Sequence, residues 1–339
     1  MTSAEPVPAA AGETVPSGLA VWLDWRPGEP GGPAHHRELV ALCERAEQLG
    51  YAAVWVSEHH CLDDGYLTAP LAALAALSVR TERIALGTGV LLAPLRSPRL
   101  LVEEAIFVQD LSGGRLLLGL GAGYWPPEFE ALGVSMAARG RSLDRVVRDL
   151  AAAGSGVLTD GWPVTPPARP IPLVLGGSTD AALRRAVRHA AAYFAAANFD
   201  YRLAAVRGRQ MREVAEQVGR PAPHMLAGIN LWVTDDPDAT WAGPVGEAYR
   251  RQIDGYVRMG LPAPTLPDAG SDLLDAGLLI GPAERIVTAL AELAATVPLT
   301  QLCFWARPPG ISHHAAVDNL ERIAAEVAPH LRDALVRNT

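Results

Sequence analysis

The stretch that decides the fold, residues 51–133, opens with the apolar run Ala52-Ala53-Val54-Trp55-Val56-Ser57 and then reads Glu58-His59-His60. Two further apolar runs follow, Ile84-Ala85-Leu86-Gly87-Thr88-Gly89-Val90 and Arg115 to Leu120. Amphipathic helical patterns separate these runs. Short apolar strands that alternate with amphipathic helices predict a parallel sheet.

The same alternation continues on both sides of this stretch. Strands are predicted near residues 18, 52, 84, 115, 171, 192, 225 and 301. Strand–helix units in this number predict an α/β fold, a (β/α)8 TIM barrel whose functional residues gather at the C-terminal ends of the strands.

Two segments do not follow this alternation. Between residues 234 and 280 the periodicity is unclear and Pro, Gly and Asp are frequent, which predicts an insertion at the C-terminal face that acts as a lid. Residues 1–16 are rich in Ala, Pro and Glu and are predicted to form a disordered tail. A single domain over residues 17–335 remains.

Composition narrows the class of partner. Hydrophobic residues make up 49% of the 339 residues, enough for a large core, and the net charge of −8 argues against nucleic acid or an anionic membrane. No apolar run is long enough to span a bilayer, and the N-terminus does not resemble a signal peptide, so the predicted location is cytoplasmic. The three cysteines, Cys43, Cys61 and Cys303, lie too far apart to indicate a disulfide framework or a zinc site.

The run Glu58-His59-His60 follows the second strand directly and therefore projects onto the C-terminal face. Three interpretations remain open for its histidines. They could cap the strand end, they could bind a metal together with nearby Asp63, Asp64 or Asp24, or one of them could handle a proton in a substrate cavity.

Two glycine-rich turns are candidates for binding an anion or a flat ring. In Gly176-Gly177-Ser178-Thr179 the backbone, hydroxyls and following helix N-terminus suit a phosphate, although a simple N-cap would need the same residues. Gly119-Leu120-Gly121-Ala122-Gly123 resembles a dinucleotide loop only weakly, because Trp125-Pro126-Pro127 stands where a helix should begin. Glycines at these positions would instead let a flat ring lie against the backbone.

Several motifs occur in a fixed order along residues 18–332. They are Glu58-His59-His60, Gly87-Thr88-Gly89-Val90-Leu91-Leu92-Ala93-Pro94, Ser112-Gly113-Gly114-Arg115, Gly121-Ala122-Gly123-Tyr124, Glu128-Phe129-x-x-x-Gly133, Pro172-Leu173-Val174-Leu175-Gly176-Gly177 and Gly281-Pro282-Ala283-Glu284-Arg285-Ile286. Together they resemble the bacterial-luciferase-like family of flavin-dependent oxidoreductases and monooxygenases.

This resemblance implies a (β/α)8 barrel that binds reduced FMN across the C-terminal ends of its strands. It implies a cis peptide at Gly89-Val90 beneath the flavin ring, phosphate-binding hydroxyls at Ser178 and Thr179, and an arginine near the cofactor at Arg141. The residues expected to bind the cofactor are Gly89, Val90, Tyr124, Arg141, Gly176, Gly177, Ser178 and Thr179. Where the luciferase branch has an arginine that pairs with the flavin phosphate, this chain has Ala122. The phosphate charge would then be met by the helix N-terminus, by hydroxyls, or by another arginine such as Arg184 or Arg185.

The resemblance also implies a reaction. The expected enzyme is an FMNH2-dependent monooxygenase that inserts one oxygen atom from O2 into a small organic substrate through a flavin C4a-hydroperoxide, with reduced flavin supplied by a separate reductase. His59 matches a histidine important for turnover, and His59 and His60 are the predicted catalytic residues. The predicted substrate pocket contains Trp22, Trp232, Trp305 and Arg307, the last as a candidate for binding an anionic substrate.

Other functions remain open at this stage. The nearest alternative is a hydride-transfer oxidoreductase that uses the deazaflavin F420 on the same barrel. A flavin-binding protein without catalysis and a metal-dependent barrel hydrolase are alternatives from other classes. Family members are often homodimers, and the same assembly is expected here.

Overall fold

The computed structural model describes residues 15–26, 33–268 and 270–336. The strands in these ranges are β1 (Gly18–Leu23), β2 (Ala53–Val56), β3 (Ala85–Thr88), β4 (Leu91–Leu92), β5 (Leu116–Gly121), β6 (Leu173–Gly176), β7 (Ala192–Ala196), β8 (His224–Ile229), β9 (Leu231–Val233), β10 (Leu279–Gly281) and β11 (Leu299–Trp305). The α-helices are α1 (Pro33–Gln48), α2 (Pro70–Ser78), α3 (Pro98–Leu111), α4 (Pro126–Ala131), α5 (Arg139–Ala153), α6 (Asp180–His189), α7 (Leu203–Val218), α8 (Pro237–Ala242), α9 (Pro244–Arg258), α10 (Ala283–Thr296), α11 (His313–Arg322) and α12 (Ala328–Val336).

The main sheet closes on itself as a parallel barrel. Its order is β3-β2-β1-β11-β8-β7-β6-β5-β4, and β3 also pairs with β5. Strands β3 and β4 pair with successive parts of β5. They therefore occupy together one of the eight strand positions of the barrel. The predicted (β/α)8 barrel is confirmed, and each predicted strand lies in it.

Aromatic side chains fill the barrel interior, and glycines on the neighbouring strands make room for them. Trp55 is fully buried, and its indole Nε1 donates to Gln301 Oε1 at 2.9 Å. A Cβ placed on Gly87 would lie only 2.3 Å from the Trp55 ring, so no larger residue fits opposite it without displacing the indole. The interior is therefore packed, and the space for a ligand has to lie at one end of the barrel.

The insertion over residues 234–280 is more ordered than its sequence pattern indicates. It contains α8, α9 and β10, and β10 pairs in parallel with β9 in a separate two-stranded sheet. The apolar run predicted as one strand from Met225 to Val233 is accordingly split at Asn230 into β8 and β9.

The N-terminal segment is described from Val15 onward. Residues 1–14 of the predicted tail lie outside the described residues. Val15 is buried, and the carbonyl of Pro16 accepts a hydrogen bond from Gln301 Nε2 at 2.6 Å, so these two residues pack onto the barrel.

Among the described helices, none combines the length and the apolar character needed to cross a membrane.

Candidate active site

His59 lies at the C-terminal end of β2, at the mouth of the barrel, and three tyrosines surround its ring. The ring centroids of Tyr66, Tyr124 and Tyr256 lie 5.0, 5.6 and 6.0 Å from that of His59, each in an edge-to-face arrangement. Tyr256 belongs to α9, so the insertion contributes directly to the surroundings of this histidine. His59 itself is only 6% exposed.

Glu128, on α4, binds both residues of the histidine pair. Its Oε1 lies 2.9 Å from His59 Nδ1 and accepts the backbone N–H of His60 at 2.8 Å. The carboxylate is fully buried. The sequence motif Glu128-Phe129-x-x-x-Gly133 thus places an acid against the end of β2, across 69 positions of chain.

The second histidine of the pair contacts a different carboxylate. His60 Nε2 lies 2.6 Å from Glu58 Oε1, and Arg96 also contacts that oxygen. The other oxygen of Glu58 accepts the backbone N–H of Leu92 at 2.8 Å. Its contacts favour a structural role for His60, as the partner of a buried carboxylate that ties β2 to β4.

A second buried acid, Asp24, joins the end of β1 to the insertion. Its Oδ1 accepts from the hydroxyls of Tyr66 and Tyr256 at 3.1 and 3.2 Å, and its Oδ2 accepts from Gln252 Nε2 at 2.6 Å. Burial, together with the charge of Asp24, raises the pKa of both phenols well above its ordinary value. Both phenols therefore stay protonated at physiological pH, and their hydroxyls also hydrogen-bond to each other at 2.8 Å.

Three aromatic rings form a stack that rises from the barrel interior to α9. Trp22 stacks on Trp305 at 5.2 Å, and Trp305 stacks on Tyr256 at 5.6 Å. The indole Nε1 of Trp22 donates to Ser57 Oγ and to the carbonyl of Gly89. Two of the predicted pocket residues, Trp22 and Trp305, are thus brought together with the tyrosines around His59.

The Gly89-Val90 peptide bond is cis, as the resemblance implied. The side chain of Val90 lies between the ends of two neighbouring strands. A Cβ on Gly121 would lie 2.6 Å from Val90 Cγ2, and a Cβ on Gly176 would lie 3.0 Å from Val90 Cγ1. Glycine at both positions therefore brings the Gly89-Val90 segment next to the start of the turn at residues 176–179.

The turn at residues 176–179 leads into α6, and its last three residues are exposed. Thr179 caps the helix by accepting the Ala182 N–H at 3.3 Å, as the simple N-cap interpretation requires. Tyr193 donates its hydroxyl to the Gly177 carbonyl at 2.8 Å, and burial raises the pKa of Tyr193 to about 12. Ser178 keeps an exposed side chain beside the helix N-terminus.

The cation beside this turn is Arg207, on α7. Its Nη1 donates to the Ser178 carbonyl at 3.3 Å and to Gln210 Oε1 at 2.9 Å. The two arginines expected from the sequence are engaged elsewhere: Arg184 contacts Gln217, and Arg185 pairs with Asp144 of α5. Arg207 is thus the arginine that contacts the turn.

Three predicted site residues lie away from His59 and its tyrosines. Trp232 lies on β9, in the small sheet with β10. Arg307 pairs with Glu38 at 2.8 Å and donates to the Ile311 carbonyl. Arg141 is exposed on the first turn of α5. The structure brings none of these three into contact with the histidine, and their roles stay predictions.

Several residues of the candidate site were not among the predicted catalytic, cofactor-binding or substrate-pocket residues. They are Asp24, Tyr66, Glu128, Arg207, Gln252 and Tyr256. Glu128 was visible as part of a motif, and Asp24 as an acid at a strand end. The others have no local signal: Arg207, Gln252 and Tyr256 depend on how helices α7 and α9 pack, and Tyr66 lies in the segment between β2 and α2.

Buried polar atoms without a partner test whether these residues fit a flavin. Within the described ranges, buried atoms of five residues around the mouth lack a hydrogen bond: Tyr124 Oη, Glu128 Oε2, Asn230 Oδ1, Gln252 Oε1 and Trp305 Nε1. Such atoms are costly to leave unpaired, and they include donors and acceptors suited to a polar, flat heterocycle. With the exposed hydroxyl of Ser178 and the cation of Arg207 at the neighbouring turn, the donor set fits a flavin that carries a phosphate.

The metal interpretation finds no cluster to support it in the part of the chain that the structure describes. No three His, Cys, Asp or Glu side chains there are placed to hold an ion.

One curated relative shares part of its sequence with this chain. It is the 4-hydroxyprotoasukamycin monooxygenase of Streptomyces nodosus subsp. asukaensis, 37% identical over 142 residues, which cover 41% of this chain and 36% of the relative. The chain therefore matches only about a third of that relative's length.

Solved structures share the fold over nearly the whole chain. The oxygenating constituent of 3,6-diketocamphane monooxygenase from the CAM plasmid of Pseudomonas putida, a type II Baeyer-Villiger monooxygenase in complex with FMN, superimposes with a TM-score of 0.73 at 16% identity, covering 93% of this chain and 98% of that one. An F420-dependent secondary alcohol dehydrogenase in complex with an F420-acetone adduct has a TM-score of 0.70 at 17% identity, covering 94% and 100%. At these identities the similarity shows the fold alone.

The sequence profile of one family matches most of the barrel. The match runs over residues 19–299, from β1 to the start of β11, and thus includes β2 with His59, the glycine turns and the insertion. The chain belongs to the luciferase-like monooxygenase family.

Proposed function

We propose that this protein is the oxygenase component of a two-component monooxygenase, which uses reduced FMN and O2 to insert one oxygen atom into a small organic substrate. The observation that carries this proposal is the barrel mouth itself, where His59 lies among buried donors and acceptors that the fold leaves unpaired. The oxygenating constituent with FMN, which shares this fold, supports both the cofactor and the need for a separate flavin reductase.

The residues that would hold the cofactor lie at two adjoining places. Ser178, the N-terminus of α6 and Arg207 would bind the phosphate, because a hydroxyl, a helix N-terminus and a guanidinium all favour an anion. The Gly89-Val90 segment, which the glycines at positions 121 and 176 allow to lie next to the turn at residues 176–179, would lie beneath the flat ring. Reduced flavin, when bound, supplies the electrons that activate oxygen.

The protein's own contribution is a dry site and a placed proton donor or acceptor. Tyr66, Tyr256 and Trp305 are buried and cover the inner side of the mouth, and α9 lies above them as the predicted lid. Excluding water strengthens the interactions inside such a site and suppresses side reactions. His59 is the group that would exchange a proton with substrate or cofactor.

Hydride transfer with F420 is the second candidate, because the F420-dependent alcohol dehydrogenase has the same fold. The two functions require different cofactors and differ in whether oxygen is consumed. Binding without either reaction would indicate a flavin-binding protein without catalysis.

We also propose that two copies of the chain associate through α2 and α3. Leu100, Phe107 and Leu111 are 57%, 62% and 41% exposed, and they follow one side of α3; Val79, just after α2, is 67% exposed. Large apolar side chains rarely stay exposed together on a monomer, and a surface of this kind suits a two-fold contact with its own copy.

The proposed function is tested by giving the protein each cofactor in turn. Reduced FMN, under anaerobic conditions, is expected to raise the thermal melting temperature more than F420 does. On mixing with O2, the bound reduced FMN is expected to release hydrogen peroxide more slowly than free reduced FMN does. A melt that responds to F420 alone would favour hydride transfer, and unchanged peroxide release would indicate binding without catalysis.

The role of His59 is tested with His59→Ala and with His60→Ala as the comparison. We expect His59→Ala to lower FMNH2-dependent oxygen incorporation by about a hundredfold or more, the usual contribution of a placed acid or base. His60→Ala should lower it less, since that ring binds Glu58. Coupled turnover in His59→Ala equal to that of the parent protein would remove the histidine from the mechanism.

A further inference from the structure

The contact between His59 and Glu128 has a direction that can be deduced from the atoms involved. Glu128 Oε1 accepts the backbone N–H of His60, a group that can only donate. The same oxygen faces His59 Nδ1 at 2.9 Å. If Glu128 carried a proton, its unpartnered Oε2 would be the free place for it. In either case Oε1 is an acceptor, so Nδ1 of His59 has to be the donor.

We propose that Glu128 is a positioning residue that holds His59 in the Nδ1–H tautomer and so leaves Nε2 as the nitrogen that exchanges protons at the barrel mouth. When one ring nitrogen of a histidine donates a hydrogen bond, the proton is held on that nitrogen and the other ring nitrogen is left as the acceptor. His59 Nε2 forms no hydrogen bond with any of the described residues, so it is free to meet a bound molecule.

The surroundings of the ring support this assignment. The edges of Tyr66, Tyr124 and Tyr256 confine the ring on several sides, which restricts its rotation about the bond that carries it. Tyr124 Oη is buried, finds no partner in the described part of the chain, and has its pKa raised by burial and by the charge of Glu128. The phenol therefore stays protonated and does not compete with His59 as a base.

A purely structural role for Glu128 is the competing explanation. On that explanation the carboxylate serves only to bind the His60 backbone and to fasten α4 to the end of β2. Its loss would then disturb packing without changing which His59 nitrogen carries the proton. The role given to Nε2 rests on the proposed function, whereas the tautomer of His59 does not. A measurement on the protein without cofactor or substrate therefore separates the two.

The experiment is long-range ¹H–¹⁵N correlation NMR on protein labelled with ¹⁵N-histidine, with the His59 signals assigned from their loss in His59→Gln. The spectra are read at a pH at which the His59 nitrogens report a neutral ring. The parent protein is expected to show the Nδ1–H form. Glu128→Gln, which keeps a carbonyl acceptor, should retain it. Glu128→Leu should move the tautomer ratio by about tenfold towards Nε2–H, the change expected for a lost charge-assisted hydrogen bond.

The matched control is Glu130→Leu, which changes an exposed acid on the same helix and should leave the ratio as in the parent. An Nε2–H form in the parent protein, or a ratio unchanged in folded Glu128→Leu, would overturn the proposal. If Glu128→Leu does not fold, an Nε2–H form in the parent protein still overturns the proposal. Should the tautomer be as expected while reduced FMN is neither bound nor oxidised, the proposed function fails and the positioning role stands.

Discussion

Arg207 contacts the turn at residues 176–179, although no sequence motif predicts a cation from α7 at this position. The chain has Ala122 where an arginine was expected, and the substitutes suggested by sequence proximity, Arg184 and Arg185, contact Gln217 and Asp144 instead. A guanidinium from α7 contacts the Ser178 carbonyl. Under the proposed function, this guanidinium from another helix would meet the phosphate charge.

Replacing Arg207 should weaken FMN binding and leave riboflavin binding unchanged, because only FMN carries the phosphate. We expect Arg207→Ala to raise the dissociation constant for FMN by about ten- to a hundredfold, the range for one charge-assisted hydrogen bond. Fluorescence titration with both flavins measures it. The control is Arg209→Ala, an exposed arginine on the same helix. Equal losses for both flavins would mean that Arg207 supports the fold rather than the phosphate.

At the scale of elements, α9 depends on Asp24 for its hold on the barrel. Gln252 and Tyr256, one turn apart on the helix, both donate to this carboxylate. A buried acceptor of several hydrogen bonds is costly to replace, since each donor left unpaired costs about 1–3 kcal/mol.

Asp24→Asn is expected to loosen α9 while the barrel stays folded. The neutral amide accepts hydrogen bonds less strongly than the carboxylate does, so the contacts with Gln252 and Tyr256 are weakened. Hydrogen exchange of residues 244–258 should become about ten- to a hundredfold faster, with the exchange of β5 unchanged. Asp254→Asn, on the exposed side of α9, is the control. Unchanged exchange in α9 would show that other contacts hold the helix.

The sequence predicts the barrel strands well because each is an apolar run bounded by a turn signal. It does not predict β10, whose few apolar residues are ordered only by pairing with β9. The residues of the candidate site likewise include some that the sequence predicts and others that it does not. His59 follows a strand directly and was predictable, whereas Tyr256 reaches Asp24 across 232 positions, from a segment with no clear period. Contacts of that kind depend on the direction in which a helix packs, which local patterns do not encode.

At the scale of the whole molecule, the exposed apolar side of α3 predicts self-association. Light scattering during size-exclusion chromatography should give about twice the 35.9 kDa mass of the chain. Phe107→Glu should shift the protein to the monomer, because it places a charge where two copies would meet. Leu203→Glu alters an exposed apolar residue on α7, 40% exposed, and should not change the mass. A monomeric parent protein would contradict the proposed contact.

The carboxylate shared between β1 and α9 has a consequence for engineering. Residues 244–258 could be exchanged for the equivalent segment of another family member in order to change which substrates are accepted. The new helix would then lie over Asp24, which accepts hydrogen bonds from Gln252 and Tyr256 in this protein. In such a chimera the buried Asp24 carboxylate would lose the hydrogen bonds that Gln252 and Tyr256 donate. The residue at position 24 would therefore have to be exchanged together with residues 244–258 for the new helix to pack over the barrel mouth.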